Sequence, residues 1–249
     1  MTTMIKRTLL ALLLLTGSVG ALADDVAGEE AQFSDAEKMM WLGNQLGEVK
    51  SPSRLGYSFV RSGTYEQGFT DTVELEITRI KPNGLKDGVL RFFSGERNFP
   101  VPPAEDTDAN PVLKIYFQGD VYEMNRLTDP DGKSRERWRY FQRRIKLALA
   151  ESATITPTEF EFDGKKFAGR KIQFQPYVKD PKRAEFEKFA DKAYSITVSD
   201  QLPGYVYKIE TVIPGPGGQP PLVHEVLTLE SVSALPAAKT ASSAPRKPQ

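Results

Sequence analysis

The chain holds one histidine, His224, and no cysteine. A Ser/His/Asp or Cys/His nucleophilic site would have to use that single imidazole and could use no thiol. A zinc site would lean on carboxylates around one nitrogen ligand, an unusual donor set. The alternation Val223-His224-Glu225-Val226 leaves open which face of a strand the imidazole takes. Paired carboxylates could perform acid/base work without histidine, and Glu105, Asp106 and Asp108, or Asp129 and Asp131, are the clusters available. Both fall in turn-rich segments, where acids are favoured for turn geometry. Asp131 is followed at once by Gly132, whereas a helix-loop-helix calcium loop needs its glycine three residues later. Gly215-Pro216-Gly217-Gly218 is no phosphate cradle, because no helix follows and Pro220-Pro221 removes amide donors. These residues point to a non-enzymatic protein with no cofactor and no metal.

Non-covalent chemistry has better candidates. Lys133, Arg135, Arg137, Arg139, Arg143, Arg144 and Lys146 stand against a single acid, Glu136. On a helix opposite Trp138, Phe141 and Ile145 they would form a basic amphipathic element. Arg135, Arg139, Arg143, Arg144 and Lys146 are then the contacts for anionic lipid headgroups or phosphorylated sugars. The competing reading is a solvated face whose charges pair with neighbouring acids. The second candidate is aromatic: strand-like segments carry Tyr57, Phe59, Phe92, Phe93, Phe160, Phe162, Phe174, Tyr194, Tyr205 and Tyr207. Tyr57, Phe59, Phe160, Phe162, Phe174, Tyr205 and Tyr207 are the rings expected to line an apolar ligand cavity on a curved sheet. The competing reading has them fill a core.

The N-terminus supplies the compartment. Lys6 and Arg7 precede an apolar run over residues 9–15, and Ala21-Leu22-Ala23 offers small side chains to a signal peptidase. The run is far shorter than the roughly 20 residues that span a bilayer. A cleavable secretory signal over residues 1–23 is expected, and with it export to the periplasm with no transmembrane anchor left. Lipid modification is excluded by the missing cysteine, and so is a disulfide framework. Removing Lys6 and Arg7 from 33 basic residues leaves 31 against 33 acidic, a near-neutral mature chain. Nucleic acid is therefore not an expected partner.

Residues 24–32 read as a loose acidic lead-in, and 236–249, with no large apolar side chain, as a disordered tail. One domain is expected over 33–235. Ser34 and Glu37 form a capping box that predicts a helix ending near Gly47. A period of two follows at Tyr57 and Phe59, at Val73, Leu75 and Ile77, and at Leu90 to Phe93, with Pro82-Asn83-Gly84 and Asp87-Gly88 as turns. The acidic segment near Glu105 ends this meander. Asn110-Pro111 caps a helix carrying Leu113, Phe117, Val121 and Met124 through Gly119, and a second helix runs from about Ser134 to Ala150. The period of two then returns around an Asp163-Gly164 hairpin. A short helix over 183–191, strands around Tyr194 to Val198 and Tyr205 to Ile213, and a last strand over 222–232 complete the chain. The fold class is α+β: a curved antiparallel sheet of about eight strands, a helical pair inserted mid-chain and a short N-terminal helix.

This order of elements over residues 33–232 resembles the LolA/LolB type of periplasmic lipoprotein carrier. The resemblance implies a half-barrel whose apolar cavity accepts acyl chains, covered by helices around 112–124 and 138–149. The arginine run departs from that pattern, so only the fold is carried over. Two functions are expected: a carrier of a lipid, an acylated protein or another apolar envelope component, or an envelope assembly factor acting through protein contacts.

Overall fold

The computed structural model describes residues 32–129, 131 and 137–236, so the expected signal peptide, most of the acidic lead-in and nearly all of the tail lie outside the described residues. The capping box forms as its residue types dictate. Ser34 Oγ accepts from Glu37 N at 3.1 Å and Glu37 Oε2 accepts from Ser34 N at 2.9 Å. The turn of α-helix they start (α1, Asp35–Glu37) widens at once into a π-helical turn, Lys38–Leu42. It stops at extended Gly43, not near Gly47 as expected. Gln45 explains the early stop: its Nε2 donates to the carbonyls of Met39 (3.3 Å) and Met40 (2.9 Å), taking the acceptors that further helical turns would use. Leu46 is buried all the same, in the turn beyond.

The period-two segments become strands β1 (Ser53–Ser62), β2 (Phe69–Ile80) and β3 (Lys86–Phe92). Leu55, Tyr57, Phe59, Val73, Leu75, Ile77, Leu90 and Phe92 point to the core. Arg54, Glu76 and Arg91 face outward and form a cross-strand ion ladder, at 2.7 Å for Arg54–Glu76 and 3.1 Å for Arg91–Glu76. Gly84, at φ 83°, makes the β2–β3 turn. Asp87-Gly88 makes none: Gly88 sits inside β3 opposite Ile77, where a Cβ would lie 2.8 Å from the Glu76 carbonyl oxygen.

The acidic segment also departs from expectation. Ala104–Thr107 is a ninth strand (β4), pairing through Lys86↔Thr107 and Gly88↔Ala104. It is an edge strand with no alternating apolar pattern to reveal it, held by polar contacts instead. Asp106 N donates to Asp87 Oδ1 at 3.1 Å, and Lys81 Nζ bridges Asp106 at 2.6 Å and Asp87 at 3.0 Å.

Helices α2 (Pro111–Thr128) and α3 (Arg137–Glu151) follow. α2 is continuous through Gly119, as expected. The expected start of α3 near Ser134 lies outside the described residues. Strands β5 (Thr154–Phe162) and β6 (Lys165–Phe174) are joined by Asp163-Gly164, both at positive φ (50° and 69°), the two-residue turn that matches strand twist. The next helix, α4, is only Arg183–Phe186, because Glu187 at φ 47° diverts the chain into a 3-10 turn. Strands β7 (Ala193–Val198), β8 (Val206–Ile213) and β9 (Val223–Ala234) complete the fold.

The nine strands of the described residues form one open antiparallel sheet in the order β4-β3-β2-β1-β9-β8-β7-β6-β5, so the α+β class and the curved antiparallel sheet are as expected. The chain leaves the sheet at one edge, β4, and re-enters at the other, β5, so α2 and α3 must cross its inner face. They bury Leu113, Phe117, Val121, Phe141, Ile145 and Leu149 against it.

Asn110 ties this crossing down. Its Oδ1 accepts from Val112 N (2.9 Å), its backbone N donates to Gln45 Oε1 (2.8 Å), and its Nδ2 donates to the Gly204 carbonyl (2.7 Å) and to Tyr57 Oη (3.2 Å). Gly204 (φ 84°) fits there only as glycine, since a Cβ would lie 2.2 Å from Leu55 Cδ2. Asn110→Ala should therefore lower unfolding free energy by about 3 kcal/mol in urea titrations, more than cap loss alone. Asn110→Asp, which keeps the cap acceptor and loses the amide donors, should fall between; equal stability of all three proteins would refute this role.

Candidate functional site

Between α2 and the sheet lies a layer of buried charge that no local pattern announces. Asp120, on the inner side of α2, pairs with Lys192, which precedes β7, and each side chain is 1% exposed. Tyr194 Oη donates to Asp120 Oδ2 at 2.7 Å, and Tyr177 Oη lies 3.3 Å from Tyr194 Oη. Glu225 takes an inward position on β9 between Val223 and Leu227, where it accepts from Thr211 Oγ1 at 3.2 Å. Arg61, at the end of β1, reaches Glu225 at 3.5 Å and Glu66 at 3.3 Å and hydrogen-bonds Glu123, while Arg126 bridges Glu66 and Glu123 at 2.7 Å each.

Burial pulls the Lys192 ammonium down, but Asp120 and Glu225 outweigh it and hold it above the usual lysine range. Burial pushes the Glu225 carboxyl up, against the pull of Lys192. Burial acts in the same direction on Glu123, but Arg126 and Arg61 prevail and hold it down at about 2. Beside these groups is a cavity of about 170 Å³, with Phe59, Phe69, Phe92, Phe93 and Tyr116 among its walls. That is below the roughly 300–1,000 Å³ of small-molecule pockets. This part of the interior is thus nearly filled, and the charge layer holds α2 in place.

The rings expected to line one cavity do not share a face. Tyr57, Phe59 and Phe174 point inward, where Phe174 stacks on Tyr194 at 4.8 Å. Phe160 and Phe162 point outward, because Ile155 pairs with inward Ile172 and the register then puts Phe160 opposite Phe167 and Phe162 opposite Lys165. Tyr207, at a bulge between β7 and β8, joins them: Phe160 stacks on Phe167 at 5.6 Å and on Tyr207 at 4.1 Å. Tyr205 is buried at the β7–β8 turn with φ 68°.

The basic set is divided as well. Arg135 lies outside the described residues. Arg144 turns inward, its Nε 2.6 Å from the fully buried Asp180, so it does not face an anionic surface. Arg139 is exposed beside Trp138, its guanidinium 5.3 Å from the ring centroid. Arg143 and Lys146 are exposed on α3.

His224 faces outward, paired with Val212, and its Nε2 is 2.8 Å from Glu210 Oε1. Burial raises the Glu210 carboxyl, but His224 and Lys208 outweigh it and bring it below its ordinary range. Among the described residues no group of three His, Asp or Glu side chains is placed to hold a metal ion. Glu105 and Asp108 are exposed, and Asp106 is bound by Lys81.

Two hollows among the described residues have the volume of a small-molecule site. A groove of about 690 Å³ with mixed walls runs between α3 and β6, past Arg144, Glu151, Gln173 and Lys179 as well as Leu147, Phe174 and Val178. A mainly apolar cleft of about 400 Å³ lies between the N-terminal turn and both long helices. Phe33, Trp41, Phe117, Val121 and Ile145 form its walls, with Lys114, Lys146, Gln118, Gln142 and Glu37 around them. Trp41 meets Phe117 edge-on at 5.6 Å. The indole Nε1 of Trp41 and the amide Nε2 of Gln118 are buried in this wall with no acceptor among the described residues. Neither Trp41 nor Phe33 is among the site residues expected from the sequence.

Lys192→Met, which strands Asp120, should cost about 3–5 kcal/mol, and Lys192→Met with Asp120→Leu should recover most of it in the same urea titration. Glu123, held at about 2 against an ordinary 4.5, contributes stability above pH 4.5 that is lost as pH falls through that window. Glu123→Gln should flatten this acid limb of the pH–stability profile; an unaltered slope would count against the pairing.

No protein-family model matches the chain, and no curated protein matches it. Among solved structures it is similar to LprF from Mycobacterium bovis, with 10% identity over 82% of this chain and 95% of that one and a TM-score of 0.33. It is similar also to the LolA superfamily protein NE2245 from Nitrosomonas europaea, with 8% identity over 82% of this chain and 94% of that one and a TM-score of 0.22. Both likenesses are weak and of architecture alone.

Proposed function

We propose that this protein is exported through a signal peptide cleaved after Ala23 and serves in the periplasm as a non-enzymatic carrier or binding protein for an apolar envelope component, a lipid or an acylated protein. The observation that supports this reading is the 400 Å³ cleft between the N-terminal turn, α2 and α3. It has the size of a small-molecule site, apolar walls and few polar groups. The bound chain would lie on the helical cover and not under the sheet. A second reading, an assembly factor that works through protein contacts, is supported by the outward stack of Phe160, Phe167 and Tyr207.

Delipidated protein should take up a fluorescent fatty-acid probe in proportion to protein. Gln142→Trp, an exposed position that puts a large ring into the cleft, should weaken uptake by about tenfold or more with little change in thermal midpoint. Absence of uptake, together with a protein partner trapped by crosslinking in cells, would favour the second reading. Protein recovered from the periplasm should have an intact mass that starts at Asp24.

A further inference from the structure

Resting on the reading that an apolar chain occupies the cleft, we infer that its ligand is a single-chain fatty acid, bound with its carboxylate on the side of the cleft marked by Lys114 and Lys146. The register of the helix pair places these lysines together. The Tyr122–Trp138 ring contact, at 5.7 Å, fixes which turns of α2 and α3 face each other. Stepping one turn at a time from it in the antiparallel pair puts Gln118 opposite Gln142 and then Lys114 opposite Lys146, and all four line the cleft. Two cations and two amides from adjacent helices thus line one side of an apolar slot.

The balance of polar groups calls for an acceptor. Lys114 and Lys146 are exposed and have no carboxylate partner among the described residues. The one acid in the wall, Glu37, is engaged in the capping box, accepting from the Ser34 amide at 2.9 Å. A carboxylate supplies both acceptors and opposite charge to the two lysines. A cationic head would be repelled, and a hydroxyl head offers no charge. The cleft's volume, toward the lower end of the ligand-pocket range, suits one chain.

The test compares hexadecanoic acid with hexadecanol as competitors for the fluorescent probe on the full mature protein, wild type and Lys114→Met/Lys146→Met. The acid is expected to bind about tenfold more tightly than the alcohol, and the double variant to lose that preference while holding the alcohol as before. Because both lysines are exposed, the variant should fold normally, which its unfolding midpoint checks. A photoreactive fatty acid should label peptides from 111–128 and 137–151. Equal affinity for acid and alcohol in the wild type would overturn the carboxylate assignment and leave the apolar-chain reading standing. Binding of neither would overturn both, as would be found if residues preceding Phe33 or a partner protein fill the cleft. Labelling confined to other peptides would move the site.

Discussion

The side chain of Asn110 is the constraint on which the arrangement of this protein turns. A sheet whose chain exits at one edge and re-enters at the other leaves a helix pair stretched across its face, and that pair needs an anchor where it begins. Asn110 caps α2, reaches Tyr57 on β1 and the backbone of Gly204, and receives the N-terminal turn through Gln45. Each bond is buried, so a missing one leaves an unsatisfied polar group and not a solvated one. The glycine at position 204 and the proline at 111 are consequences of the same packing: one lets the backbone approach Leu55, the other gives up an amide that no helix start would use.

Further along α2 the restraint changes from hydrogen bonds to charge. Asp120 with Lys192, and Arg61 with Glu123 and Glu225, put ion-pairing side chains where an apolar core would serve stability as well or better. What such pairs add is direction. A helix resting on a greasy sheet can slide or rotate at small cost, whereas one whose carboxylate meets a single buried ammonium has one seat. The tyrosines around Asp120 complete its hydrogen bonding and share the interior with apolar rings.

This firm seating bears on where a ligand can go. With α2 locked down and the void beside its charge layer small, the proposed ligand is assigned to the cleft between α2, α3 and the N-terminal turn. The basic character of α3 is likewise divided by tertiary contacts. Arg144 neutralises buried Asp180, and Arg137 binds the Thr128 carbonyl and Glu185. Lys146 stays at the rim of the cleft, so a run of positive charge in the sequence becomes both structural ion pairs and part of a candidate binding site.

What the residues determined by themselves is local. The Ser34–Glu37 box, the Asn110-Pro111 helix start, the Asp163-Gly164 turn and the alternation of Val73, Leu75 and Ile77 act through neighbours a few positions away, and each is legible without partners. The lack of cysteine and the single histidine likewise limited the available chemistry. Tertiary structure decided everything that depends on register or on a distant partner. The same alternation describes Phe160 whether it faces inward or outward, and only pairing of Ile155 with Ile172 selects the outer face. β4 exists because β3 offers it an edge, and Glu225 and Asp120 are tolerated inside because Lys192 and Arg61 arrive from elsewhere in the chain. A charge or a ring shows its type in the sequence, but the free energy of burying it depends on what it meets.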